Sequence, residues 1–248
     1  MKLYYKNRSN SYFVSNPKTF ENKAISEDIV SEAYYYAYHM IYAAGFEQRF
    51  PDIPNNHYSK LSLFCNIFQV KLSEVLIYSA FVKSNRTPEM TAIKVKSQGI
   101  IEFCDMVCEG QNIKIKTGVE SEDIFTLEQS KWNKDGFFIP GLKEDTKGLY
   151  DYFLMVRLSK DLSEFLQTIR KMNIDLPSDE QLFKKMLPKK ITYDIPGFFS
   201  QSKLKQLINK DYVLPKDALI NPDRIVESDK YYLQTGNLRE FSELISEL

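Results

Sequence analysis

The chain is poor in histidine, cysteine and tryptophan, with 2 His, 3 Cys and 1 Trp in 248 residues. Two histidines exclude a histidine-rich metal site and a histidine-based nuclease finger. An odd cysteine count fits a reducing cytoplasm better than a disulfide framework, and a chain this long can bury a core without staples. Cys104 and Cys108 have no second pair to complete a zinc site, so they read as core thiols, as does Cys65. Glycine is scarce, at nine. None falls in a GxGxxG, GxxxxGK(S/T) or GxSxG pattern, which removes the dinucleotide, P-loop and hydrolase-elbow fingerprints and any organic cofactor they would hold. No apolar run reaches the roughly 18 residues a membrane span needs. The opening MKLYYKNRSNSYF lacks the apolar stretch of a signal peptide. Lys+Arg and Asp+Glu balance at 33 each, so any polyanionic partner must be held by a local basic surface, since no net field attracts it.

Aromatics are plentiful, with 16 Tyr and 17 Phe. Ser26 followed by Ile29, Val30, Ala33, Ala37, Met40, Ile41 and Ala44 predicts a helix that stops at Gly45, with a tyrosine-dense face suited to a core or a protein contact. RFPDIPNN is a loop, and a second helix or helix pair is expected over 58–83. The pattern then turns to alternation. TAIKVKS, IIEFCDMVC and NIKIKTG predict an antiparallel meander with a Gly110-Gln111 turn, and YDYFLMVRL predicts a strand buried on both faces. A short helix is expected over 163–172. The last quarter reads as irregular, with a helical stretch at 203–209, a strand at 231–233 and a helical end. The expected organisation is one α/β core over 1–180 and a C-terminal α+β lobe over 181–248 that is not an independent domain.

Charge is unevenly placed. Between Gln181 and Lys216 lie eight lysines against Asp194 and Asp211, while Glu109 to Glu128 holds five acids against Lys114 and Lys116. Lysines that draw a phosphate backbone, beside acids that hold a divalent ion, are the components of phosphodiester chemistry. A Gly110-Gln111 turn would set Asp105 opposite Lys116, with Val107 and Lys114 on the same face of the hairpin. A carboxylate beside an ammonium serves either as a cross-strand ion pair or as a metal ligand with a transition-state cation.

The order of helix, Asp105 strand, Lys116 strand and buried strand over roughly residues 25–165 resembles the PD-(D/E)XK nuclease superfamily, and within it the type II restriction endonucleases. The resemblance implies a restriction-endonuclease-like core with a mixed central sheet flanked by helices. It implies a Mg²⁺-dependent, homodimeric endonuclease acting on double-stranded DNA in the cytoplasm. Asp105 would hold the metal and Lys116 would assist the attacking water. The sequence departs from the pattern at Lys114, where an acid is expected. Glu32 on the first helix is the expected substitute carboxylate and metal ligand, ahead of Glu27; Glu109, at the hairpin tip, is far from Asp105 for a compact site, and Glu120, Glu122 and Glu128 are left open. Lys114, Lys189, Lys190, Lys203 and Lys205 would meet phosphate. Two alternatives stand beside this one: a catalytically silent DNA-binding protein of the same architecture, and an interaction domain that uses the tyrosine helix.

Overall fold

The computed structural model describes residues 2–50, 57–90, 94–96, 99–101, 106–139, 149–162, 191–221 and 224–248. Two long helices come early. Helix α1 (Glu27–Tyr42) buries Ile29, Val30, Ala33, Tyr34, Ala37 and Ile41 along one face, following the expected stripe. Gly45 lies beyond its end, in the left-handed region, and opens the short α2 (Phe46–Arg49). Helix α3 (His57–Lys83) is one continuous helix, packed against α1 and against the central sheet. It is long and apolar enough to cross a membrane, but 72% of its most apolar stretch is buried inside the fold, as in the core helix of a soluble protein. Burying each of its large apolar side chains contributes roughly 1.5–3 kcal/mol.

The architecture is mixed α/β, with a mixed sheet flanked by helices. Three strands precede α1: β1 (Tyr4–Lys6), β2 (Ser11–Phe13) and β3 (Lys23–Ala24). After α3 come β4 (Pro88–Met90), β5 (Lys94–Lys96), β6 (Gly99–Ile101), β7 (Met106–Cys108), β8 (Gln111–Val119) and β9 (Ile124–Glu128). Next are β10 (Tyr152–Leu158), β11 (Thr192–Ser200) and α4 (Gln201–Asn209). The chain closes with β12 (Val213–Leu214), β13 (Leu219–Ile220), β14 (Arg224–Ile225), β15 (Lys230–Gln234) and α5 (Phe241–Glu247).

The central sheet has the order β3-β11-β10-β8-β7-β4. From β4 to β11 its strands follow chain order, and only β8 and β10 run parallel. The expected three-strand meander is not continuous. β6 pairs with β5 in a separate hairpin, and β7 sits between β4 and β8. The β7–β8 turn is Glu109-Gly110, both with positive φ, so Val107 faces Asn112, two places from the expected register. A shift of two leaves every side chain on its expected face.

Each face of the sheet has its own core. Ile113 and Ile115 join α1, α3 and α5 in one cluster. Phe153, Met155 and Phe199 join Trp132, α4 and the sheet β12-β15-β9 in the other. A third cluster lies under β13, with Leu3, Leu214 and Tyr232. Residues after 190 are interleaved with the rest: β11 lies inside the central sheet and β15 pairs with β9. The expected boundary at 180/181 and the helix expected over 163–172 lie outside the described residues.

Candidate functional site

Alternation along β8 builds the site. Ile113 and Ile115 point to the helix-side core, so Lys114 and Lys116 emerge on the opposite face, under the β9 and β15 strands. Lys114 Nζ lies 5.2 Å from the Tyr150 ring centroid and 6.0 Å from that of Phe138. These are distances at which an ammonium is attracted to an aromatic face. Lys116 Nζ donates to Glu122 Oε1 at 2.9 Å and to Thr126 Oγ1 at 2.6 Å.

Glu122 reaches Lys116 because the chain turns sharply after β8. Glu120 N–H donates to Leu158 O, and Glu122 N–H to Val119 O, both at 2.8 Å. Gly118 makes the close approach possible: a Cβ there would stand 2.6 Å from Glu122 Oε2 and 3.0 Å from Met155 Cε. Arg224 Nη2 adds a longer contact to Glu122 Oε1 at 3.5 Å. The Glu122 side chain is 8% exposed and that of Lys116 18%.

Burial pulls the Lys116 ammonium below its ordinary pKa, against the pull of Glu122. Burial pushes the Glu122 carboxyl up, but Lys116 and Arg224 outweigh it and hold the group below the usual carboxylate range. Two cations act on this carboxylate and one anion on the ammonium, so the ionised carboxylate sets the state of the pair.

Glu122 lines a crevice of about 340 Å³ at the carboxyl ends of β8 and β10. Thr117, Ser121, Glu122, Lys160, Asp161 and Arg224 are among the residues that line it. Ends of parallel strands are where α/β sheets commonly open a ligand crevice.

The expected site residues are dispersed. Asp105, Lys189 and Lys190 lie outside the described residues. Glu32 is exposed on α1, on the helix side of the sheet, whereas Lys116 leaves the opposite face, so the structure does not bring them together. Glu27 is likewise exposed on α1, Glu109 accepts from Thr87 N–H at 3.1 Å, and Glu128 pairs with Lys131 at 2.8 Å. Of the acids left open by the sequence, Glu122 is the one at Lys116.

Lys203 and Lys205 stand on α4, which is anchored by buried Leu204 and Leu207. Lys205 lies over Phe137, with its Cγ against the Gly136 turn that carries Lys134. Gln234 is buried and accepts from the Ser15 and Asn16 N–H groups at 2.7 and 2.8 Å.

Two further charged groups escaped the sequence reading. Arg157 is fully buried in β10 and forms a two-pronged pair with Asp194 of β11 at 3.0 and 2.6 Å. Its other bonds go to Lys18 O and, at 3.4 Å, to Asp123. An arginine inside the apolar run YFLMVRL is a signal that an acid must be placed opposite it. Cys65 behaves as a core thiol: it donates to Leu61 O, and burial pushes its pKa up to about 12. Cys108 and Trp132 are also buried, while Cys104 lies outside the described residues.

No group of three or more His, Cys, Asp or Glu side chains among the described residues could hold a metal ion. Lys114 occupies the expected acid position, and the carboxylate at Lys116 is already shared by two cations. No family model matches the chain, and comparisons with curated proteins and with solved structures find no match.

Proposed function

We propose that this chain is a DNA-binding protein built on a PD-(D/E)XK nuclease-like, restriction-endonuclease-like scaffold, in which an internal Lys116–Glu122 pair stands where a metal site is expected. The architecture is compatible with that scaffold through its early helices, the β7–β8 hairpin and the buried β10 beside β8. It departs in the link from β8 to β10, which runs through β9 and its pairing with β15. The observation that carries the reading is β8 itself, which sends two lysines, rather than an acid and a lysine, from the same face. DNA would be met by Lys134, Lys203 and Lys205, which form no ion pair among the described residues, acting on backbone phosphates.

Mg²⁺-dependent hydrolysis of duplex DNA by a homodimer is the second reading. It is favoured by the placement of Lys116 beside a carboxylate whose Oε2 accepts no hydrogen bond among the described residues. Incubation of unmethylated phage DNA with the protein, in Mg²⁺ or in EDTA, separates the two readings. Intact DNA in both, with a retarded complex, supports the binding protein. Discrete fragments that need Mg²⁺ and vanish in Lys116→Ala establish the nuclease.

A further inference from the structure

The crevice at the ends of β8 and β10 carries cations that the protein itself leaves largely unused. Lys160 is exposed on one side and forms no ion pair among the described residues. Arg224 is 55% exposed, and its contact with Glu122 is long, at 3.5 Å. The two carboxylates facing the same space are occupied. Glu122 is held by Lys116 at 2.9 Å, and Asp161 accepts from Gln69 Nε2 at 2.8 Å. With Lys116 behind the wall, three cations stand against two anions. If Arg224 leaves, Glu122 keeps Lys116 as its partner.

We infer that this crevice binds a phosphate group of a nucleotide unit, gripped between Arg224 and Lys160. The inference rests on the DNA-binding reading and names the residues that would take one phosphate out of the general backbone contact. The guanidinium fork matches two phosphate oxygens, a closer engagement than its single 3.5 Å contact with the buried Glu122 carboxylate. Thr117 and Ser121 line the same space. A volume near 340 Å³ is at the small end of ligand pockets and admits one nucleotide, not a duplex. A phosphodiester inside a strand and a terminal or free monophosphate share this chemistry.

The test uses the full chain with a labelled duplex oligonucleotide, dAMP and inorganic phosphate. The variants are Arg224→Ala with Lys160→Ala, Ser121→Trp to fill the space from an exposed position, and Lys203→Ala with Lys205→Ala as the outside control. Circular dichroism confirms that each is folded. The cation variant should weaken duplex binding about tenfold or more and lower the salt slope by about 1, for the one lost phosphate contact. Ser121→Trp, by expelling the same phosphate, should weaken binding and lower the slope by about the same amount. Displacement of the duplex by dAMP identifies a terminal monophosphate as the ligand. A duplex that depends on Arg224 and resists dAMP identifies an internal phosphodiester. A duplex bound equally well by the cation variant and by Ser121→Trp, yet lost with Lys203 and Lys205, overturns the crevice and leaves the DNA-binding reading standing. Binding of dAMP through Arg224 without any duplex binding overturns that reading and keeps the phosphate site. Binding of none of the three probes overturns both.

Discussion

Replacing Glu122 by alanine should cost far more stability than the loss of a surface charge. The pair it forms with Lys116 is mostly sequestered, at 8% and 18% side-chain exposure. Removal of the carboxylate leaves the ammonium on Thr126 Oγ1 and a carbonyl at 3.5 Å. Breaking a buried pair from one side costs about 3–5 kcal/mol, because the remaining charge stays desolvated. Lys116 retains some access to water, which places the expectation near the lower figure, about 3 kcal/mol. For a chain of this size that corresponds to a fall in Tm of roughly 6–12 °C. Urea unfolding with the slope held in common, backed by calorimetry, measures it. The double variant Lys116→Met with Glu122→Leu should recover most of the loss, since replacing both partners by apolar groups is often close to neutral. A single-variant loss below about 0.5 kcal/mol, the range of exposed pairs, would refute the description of this contact as buried.

Other consequences are equally open to measurement. Asp194→Ala takes the two-pronged partner from the buried Arg157, leaving it Lys18 O and Asp123 at 3.4 Å, and should cost at least as much as Glu122→Ala, about 3–5 kcal/mol by the same unfolding assay. Glu122 titrates below its ordinary value of 4.5, so the unfolded chain takes up that proton first. Its stabilisation is complete above that pH and is lost as pH falls through the lowered pKa. The acid limb of stability should therefore be shallower in Glu122→Gln than in the wild type. Lys114→Met should cost only about 0.5–1 kcal/mol, the value of its contact with the Tyr150 and Phe138 faces, and a larger loss would show an additional role. Cys65 should resist thiol reagents in the native state and react only on unfolding, given its thiol near 12 and its burial.

The elements legible in the sequence are those whose pattern survives tertiary context. The α1 stripe and the doubly buried β10 stand where their periodicities put them. β11 was hidden by Pro196 and Gly197, residues that argue against an interior strand. Its register with β10 shifts between Met155 and Arg157, and Pro196 falls in that irregularity, where a missing N–H does not break the ladder. β4 was obscured in the same way by its leading Pro88. At the site, the shared face of Lys114 and Lys116 follows from alternation alone. The partner of Lys116 does not, because Glu122 arrives through a turn and a glycine gap that spacing cannot express. Arg224 comes from more than a hundred residues away through sheet pairing, which no local pattern records.

Salt dependence of duplex DNA affinity, measured by anisotropy in Mg²⁺ and again in EDTA, separates a binding protein from a nuclease. Affinity should fall linearly on logarithmic axes with a slope of several units. Binding should be undiminished by EDTA, the DNA intact in both buffers, and the slope reduced in Lys203→Ala with Lys205→Ala. A flat or absent response to salt would contradict DNA binding, and strand cleavage that appears with Mg²⁺ would contradict a site closed by the Lys116–Glu122 pair.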